Sequence, residues 1–342
     1  MAYNRINKLN KNSNSRNKIH NQNSNCITGI VKQNTTAYSV RFDYKGLIAP
    51  AFATFTDEKQ LNLDLISEYA NYLKAQGIEG ILVNGTSGEL TSLSTNERKK
   101  IAEAWAKAVK KTKQHLMIQV GGTSLNEVIE LAKHAENCGA DSILCLPELY
   151  FKPNDIEELT NYLSIIGKNA PKTPLLYYHI PSMTHVNIHM GKFAKYVANK
   201  IPTLVGLKFT SSILEEAYEV MKVNENLHVF LGNDQLMLAA STMGIDSFIM
   251  TTLNFFQKPA LNIMQYIKYG KDLEKAKESQ RAIATVVEAI TNHGTWVNSM
   301  KAAMNIFTDI NVGPVREPLK NIVFEKKTLK KNIDAQFHSY FN

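Results

Sequence analysis

Thr203-Leu204-Val205-Gly206-Leu207-Lys208-Phe209-Thr210 is a short, almost wholly apolar run with one lysine inside it. Its length and aliphatic character are those of a strand buried on both faces, the kind found in parallel sheets. A lysine in such a place demands an explanation. Burying an unpaired ammonium costs several kcal/mol, so the side chain has a carboxylate partner, snorkels to water from the strand end, or sits where the neutral amine is accessible. For this segment alone snorkelling is the commoner outcome. A neutral amine, by contrast, can attack a carbonyl and form a Schiff base, which turns that carbonyl into an electron sink.

Working outward from this run, strand and helix signals alternate with little between them. Upstream, the expected strands are Gly46–Ala53, Gly80–Val83, Leu116–Val120, Ser142–Leu146 and Leu175–Tyr178; downstream they are Leu227–Leu231 and Ser247–Met250. Helical spacing of apolar residues is read near 62–76, from Thr95 to Thr112, from Leu125 to Cys138, and from Asp155 to about Lys168. It is read again near 189–199, 213–223, 235–243 and 259–268. Ser94 with Glu97 is a capping pattern, and Gly77 and Gly139 stop their helices. Eight β/α units with the lysine run as sixth strand predict an α/β fold, a (β/α)8 TIM barrel. The competing doubly wound open sheet is weakened because no GxGxxG turn follows the first strand. Beyond the barrel only helices are expected, at 271–292 and 295–307. The expected organisation is a disordered tail over 1–42, a barrel over 43–269 and a C-terminal helical appendix over 270–342.

Composition narrows the function classes. The chain has 342 residues, 44% of them hydrophobic, enough for a large core. Its net charge of +8 hints at nucleic acid until it is located. Residues 1–45 hold Arg5, Lys8, Lys11, Arg16, Lys18, Lys32, Arg41 and Lys45 against Asp43 alone, so nearly all of the excess lies there. The body is close to neutral and no nucleic-acid partner is expected. The basic segment is rich in Asn and Ser and poor in aliphatics, which reads as disorder; a transit peptide is the alternative, disfavoured by the absence of an amphipathic stripe. No apolar run is long enough to span a membrane, and the N-terminus lacks the apolar core of a secretory signal. Cys26, Cys138 and Cys145 form neither a paired framework nor a CxxC pattern, which suits a reducing, cytoplasmic setting without disulfides.

In such a barrel, chemistry gathers at the C-terminal ends of the strands. There stand Asn84-Gly85-Thr86-Ser87-Gly88-Glu89, Tyr178-His179-Ile180-Pro181, Lys208 with Thr210, Gly232-Asn233-Asp234-Gln235, and Thr251-Thr252. The Gly-Thr-Ser-Gly turn could converge two hydroxyls and backbone N–H groups on a small carboxylate, although it is also ordinary loop composition. Tyr178 could deliver a phenolic proton, or be a packed core tyrosine. Asp234 and Gln235 open a helix, where an acidic first turn is expected on capping grounds alone. His179, His185 and His189 match no strong metal-ligand spacing, so no metal is expected.

Together these residues resemble a known family, the pyruvate-dependent class I aldolases that comprise N-acetylneuraminate lyases and dihydrodipicolinate synthases, with the animal lyases the nearest branch. The resemblance runs from about Gly46 to Leu319. Val83–Glu89, Ser92-Leu93-Ser94 with Glu97-Arg98, Tyr177–Pro181, Ile201–Thr203, Gly206–Thr210 and Gly313-Pro314-Val315-Arg316-Glu317-Pro318-Leu319 carry it. It implies that Lys208 forms the Schiff base with pyruvate or a keto-sugar, that Tyr178 shuttles protons, and that Thr86 and Ser87 hold the pyruvyl carboxylate. Thr210, Gly232, Asp234, Gln235 and Thr251 would line the sugar end. No cofactor is implied. A homotetramer is implied, with a partner's tyrosine reaching into the site from the loop after the fourth strand, where Tyr150 is the candidate. The synthase branch carries Arg in a Pro-x-Arg-Thr pattern to meet a second carboxylate; Pro181-Ser182-Met183-Thr184 has Met instead, which favours the lyase branch. Gln235 replaces a usual Glu, Met250-Thr251 a Gly-Ser, Leu253 a Tyr and His185 a Gly, so pyruvate handling is expected to survive better than sugar recognition. The competing expectations are an aldolase for another keto-sugar acid and a barrel that binds without turnover.

Overall fold

A computed structural model of the chain describes residues 40–324, 327, 333 and 335–341. Eight strands run in parallel: β1 (Leu47–Pro50), β2 (Gly80–Val83), β3 (His115–Gln119), β4 (Ser142–Cys145), β5 (Leu175–His179), β6 (Leu204–Phe209), β7 (His228–Leu231) and β8 (Ser247–Ile249). Each pairs with its sequence neighbour, and β8 pairs with β1 through Leu47–Phe248 and Ile48–Ile249. That last pairing closes the barrel and removes the open-sheet alternative. Alternation along each strand then sorts side chains into two cores. Ile48, Leu82, Met117, Leu144, Leu176 and Phe230 fill the interior, while Ile81, Ile118, Ile143, Tyr177, Leu207 and Phe209 pack outward against the helices.

One irregularity decides where the lysine goes. Leu175 pairs with Leu204, but Leu176 pairs with Gly206, so Val205 is an extra residue in β6. Beyond this bulge Tyr178 stands beside Lys208, on the inner face with Leu176. Without it, Lys208 would lie beside His179 and face the helix layer.

The helices follow local signals. Ser94 and Glu97 form a reciprocal capping box on Thr95–Thr112, and Gly139 at φ 76° ends Leu125–Cys138. Asp155 caps Ile156–Asn169, and His189 caps Met190–Val197. Two departures occur beside the mouth. Pro181–Thr184 forms an extra helical turn after β5, and the helix expected at 235–243 divides into a tight turn, Asp234–Leu236, and Met237–Thr242. Of the helices past the barrel, Leu273–Thr291 packs on Lys258–Tyr269, and Trp296–Phe307 returns to the loop after β8. No helix among the described residues is long and apolar enough to cross a membrane.

Most of the tail expected over 1–42 lies outside the described residues. Its last member, Phe42, meets His115, His228 and Phe230 edge-on beneath the barrel, and Tyr44 lies 4.3 Å from the His115 ring. Burial pushes His115 down to about 4. Between that value and the unfolded value of about 6.5, the unfolded chain takes a proton that the folded chain refuses. Stability therefore falls as pH drops from 7 to 4.5, by up to about 3 kcal/mol from this residue alone. Urea unfolding across that window checks it, with His115→Gln expected to give a shallower dependence; coincident slopes would show that His115 carries none of it.

Candidate active site

Lys208 projects into the C-terminal mouth of the barrel from β6, and Tyr178 does so from the neighbouring position of β5. Both are almost fully buried, at 5% and 2% exposure. Lys208 Nζ donates to Tyr178 Oη at 3.1 Å and lies 4.3 Å from the ring centroid. Lys208 makes no ion pair with any described residue, so its one polar partner is a group that can itself take or give a proton.

The loop after β2 supplies the opposite wall. Asn84 and Glu89 adopt left-handed conformations at φ 56° and 53°, and Glu89 N–H donates to Thr86 O across the turn. Gly88 sits where a Cβ would press on Asn84 N and Ala51 O at 3.2 and 3.3 Å, so the tight turn depends on its missing side chain. The turn aims both hydroxyls inward. Thr86 Oγ1 lies 3.1 Å from Tyr178 Oη, and Ser87 Oγ lies 3.1 Å from Thr251 Oγ1. Trp296 Nε1 donates to that same Thr251 oxygen at 3.1 Å.

These groups surround a cavity of about 220 Å³. Lys208, Tyr178, Thr86, Ser87, Thr210, Gly232, Gln235 and Thr251 all line it, so the sequence reading brought eight of its nine site residues to one place. At Gly232 a Cβ would collide with Thr210 Oγ1 and crowd Lys208 Cε. Thr210 Oγ1 is buried with no partner among the described residues, a hydroxyl available to a guest. Asp234 is the exception and does not line the cavity. It is fully buried, its Oδ1 accepts the Thr252 N–H at 2.9 Å, and burial pushes its carboxyl above the usual range. Ile180 and Asn233, which the sequence places at the mouth, and Ser182 and Met183, which it weighs for the choice of branch, join the lining without having been given site roles, whereas Ile249 and Trp296 were missed. Only Trp296 carried a usable signal, as one of two tryptophans in the chain, just after Gly294-Thr295.

Residues 43–336 match the model of the dihydrodipicolinate synthetase family. The chain belongs to this family. Among its relatives, the N-acetylneuraminate lyase of Gallus gallus is 35% identical over 278 residues, 80% of this chain and 90% of that protein. The N-acetylneuraminate lyase of Pongo abelii is 34% identical, covering 81% of this chain and 87% of its own. A solved structure of the N-acetylneuraminate lyase (sialic acid aldolase) from Aliivibrio salmonicida superposes with a TM-score of 0.80 at 29% identity, over 86% of this chain and 97% of that one.

The departures from the family pattern distribute unevenly over this site. Gln235 and Thr251 line the cavity, whereas Met250 and Leu253 are wholly buried behind it and His185 is exposed on the loop after β5. The changes that remove a polar group or add bulk therefore lie mostly outside the lining. The histidines do not converge. His179 stacks on Phe209 at 5.2 Å, while His189 accepts from Lys192 N–H at a helix start. Burial lowers His179 to about 4. Among the described residues no group of three or more His, Cys, Asp and Glu is placed to hold a metal ion.

Proposed function

We propose that the chain is a Schiff-base aldolase that cleaves N-acetylneuraminate to N-acetylmannosamine and pyruvate, with residues 43–269 as the catalytic barrel and 270–342 as its helical appendix. The observation that carries this reading is the buried Lys208–Tyr178 pair facing the Thr86 and Ser87 hydroxyls across one cavity. A nucleophilic amine, a proton relay and a carboxylate cradle are what a 2-keto acid requires.

In the proposed sequence, Lys208 Nζ attacks C2 of the open-chain keto acid, and loss of water leaves a protonated imine. The C3–C4 bond breaks with its electrons passing into the imine, as Tyr178 takes the C4 hydroxyl proton. N-Acetylmannosamine departs as the aldehyde. The enamine is reprotonated at C3 and hydrolysed, which returns Lys208 and frees pyruvate. Thr86 and Ser87 would hold the carboxylate throughout, and Thr210, Gly232 and Gln235 would line the sugar end; Thr251, expected there from the resemblance, has its hydroxyl beside Ser87 and so would stand nearer the carboxylate. Asp234 would serve the sugar end through the backbone it holds. Met183 in the lining, where the synthase branch places a cation, supports a sugar over a second carboxylate.

Assembly and setting belong to the same proposal: a cytoplasmic homotetramer. Tyr150 and Phe151 support the assembly, since they stand 82% and 83% exposed on the loop after β4, packed edge-to-face with each other. Cys138 and Cys145 as free thiols suit a reducing compartment.

Incubation with N-acetylneuraminate is expected to yield pyruvate, read with lactate dehydrogenase, and N-acetylmannosamine, read by chromatography, in equal amounts. A rise in melting temperature with no product would make the chain a binder. Turnover of another keto-sugar acid with N-acetylneuraminate inert would keep the chemistry and change the substrate.

A further inference from the structure

We infer that Trp296, carried to the mouth as the first residue of helix Trp296–Phe307, is a positioning residue for the carboxylate end of the substrate: its indole N–H sets the direction of a hydroxyl chain that ends on Ser87. The inference rests on the aldolase reading. Its basis is the order of donors around the cavity. An indole N–H can only donate, whereas a hydroxyl both donates once and accepts. Trp296 Nε1–H points at Thr251 Oγ1 (3.1 Å), so that oxygen is already an acceptor there and its own hydrogen is free to go to Ser87 Oγ, 3.1 Å away. In the inferred order, Ser87 accepts from Thr251 and presents its hydrogen to the cavity.

A second chain has the same form. Lys208 Nζ donates to Tyr178 Oη, which lies 3.1 Å from Thr86 Oγ1. With Lys208 donating, the phenolic hydrogen is free for Thr86, and Thr86 turns its own hydrogen outward. Two chains, each begun by a donor, thus end on adjacent hydroxyls, a pair of aligned donors for the two oxygens of one carboxylate. Chains of this kind polarise one another and bind an anion better than free hydroxyls.

The backbone around Thr251 is fixed independently of Trp296. Thr252 N–H donates to Asp234 Oδ1, Asn254 Nδ2 holds Thr251 O at 2.9 Å, and Tyr69 Oη holds Asn254 Oδ1 at 2.6 Å. The variable left to the indole is the direction of the Thr251 hydroxyl, which makes the role separable from folding.

The test is borohydride trapping of pyruvate by Trp296→Phe, which keeps the ring and loses the N–H. Half-saturation by pyruvate is expected to rise about tenfold, with the rate at saturation within about twofold and the melting temperature unchanged. Thr251→Val should give a similar rise, and Trp296→Phe should add less than about twofold on that background. Unchanged half-saturation in Trp296→Phe, or effects of the two substitutions that simply multiply, would overturn the inference while leaving the aldolase intact. So would a higher KM for N-acetylneuraminate with pyruvate binding unmoved, because the indole would then serve the sugar end. A wild type that takes up no pyruvate defeats the aldolase reading and this inference with it.

Discussion

Wild-type protein treated with pyruvate and borohydride is expected to gain about one reduced pyruvyl unit by intact-mass spectrometry, and Lys208→Ala none. Turnover of N-acetylneuraminate by Lys208→Ala should fall at least about 10⁴-fold, since no covalent intermediate can form. Lys208→Arg separates charge from nucleophilicity. A guanidinium keeps the positive charge at all accessible pH and attacks no carbonyl, so it should be as inert as alanine. Among the described residues no second lysine lines the cavity; Lys301, the other buried lysine among them, is bonded to Glu89. An adduct of equal yield on Lys208→Ala would mean that trapping occurs elsewhere. No adduct on folded wild type would leave a barrel of the family's shape without its reaction.

The barrel was legible because parallel strands buried on both faces write themselves as short apolar runs, and because its helices carry their own stops. Ser94 with Glu97, and Gly139, act within a few residues of where they stand. The mouth was legible by order of strands alone. What escaped depends on partners distant in sequence. Val205 is apolar whether it is bulged or not, so nothing local reveals that β6 gains a residue against β5. Asp234 opens a turn as expected, but its carboxylate faces Thr252 across the strand ends, and only the packed structure decides between backbone and cavity. Trp296 enters the site from beyond the barrel, 45 residues after its hydrogen-bond partner Thr251. The family motifs at Ser92–Arg98 and Gly313–Leu319 were legible as matches, yet their contact was not: Arg316 Nη1 pairs with Glu97 Oε1 at 2.8 Å.

That contact frames a buried pair whose disruption should cost more stability than any other single change considered. Glu89 ends the turn that carries Thr86 and Ser87, and its Oε1 accepts from Lys301 Nζ at 2.6 Å with both side chains essentially inaccessible. Its Oε2 accepts the Arg316 N–H at 2.8 Å, and Lys301 lies 4.3 Å from the Phe55 centroid. Burial pulls the Lys301 ammonium down to about 8, against the opposing pull of Glu89. Glu89→Gln leaves that ammonium without its counter-charge. It also forces the amide NH2 toward one of two donors, Lys301 or the Arg316 N–H, so a loss of about 3–5 kcal/mol in urea unfolding is expected. Lys301→Met should cost a comparable amount, since it strands the carboxylate. The double variant should be less damaged than the two losses combined by about 1–3 kcal/mol, because it buries no unpaired charge. Losses that merely add would mean that the charges are not paired in solution. Since the same carboxylate ties helix Trp296–Phe307 to the Thr86–Ser87 turn, Glu89→Gln should also raise half-saturation by pyruvate. The appendix would then hold the carboxylate end of the site at two points, Lys301 at the base of the turn and Trp296 at its hydroxyls.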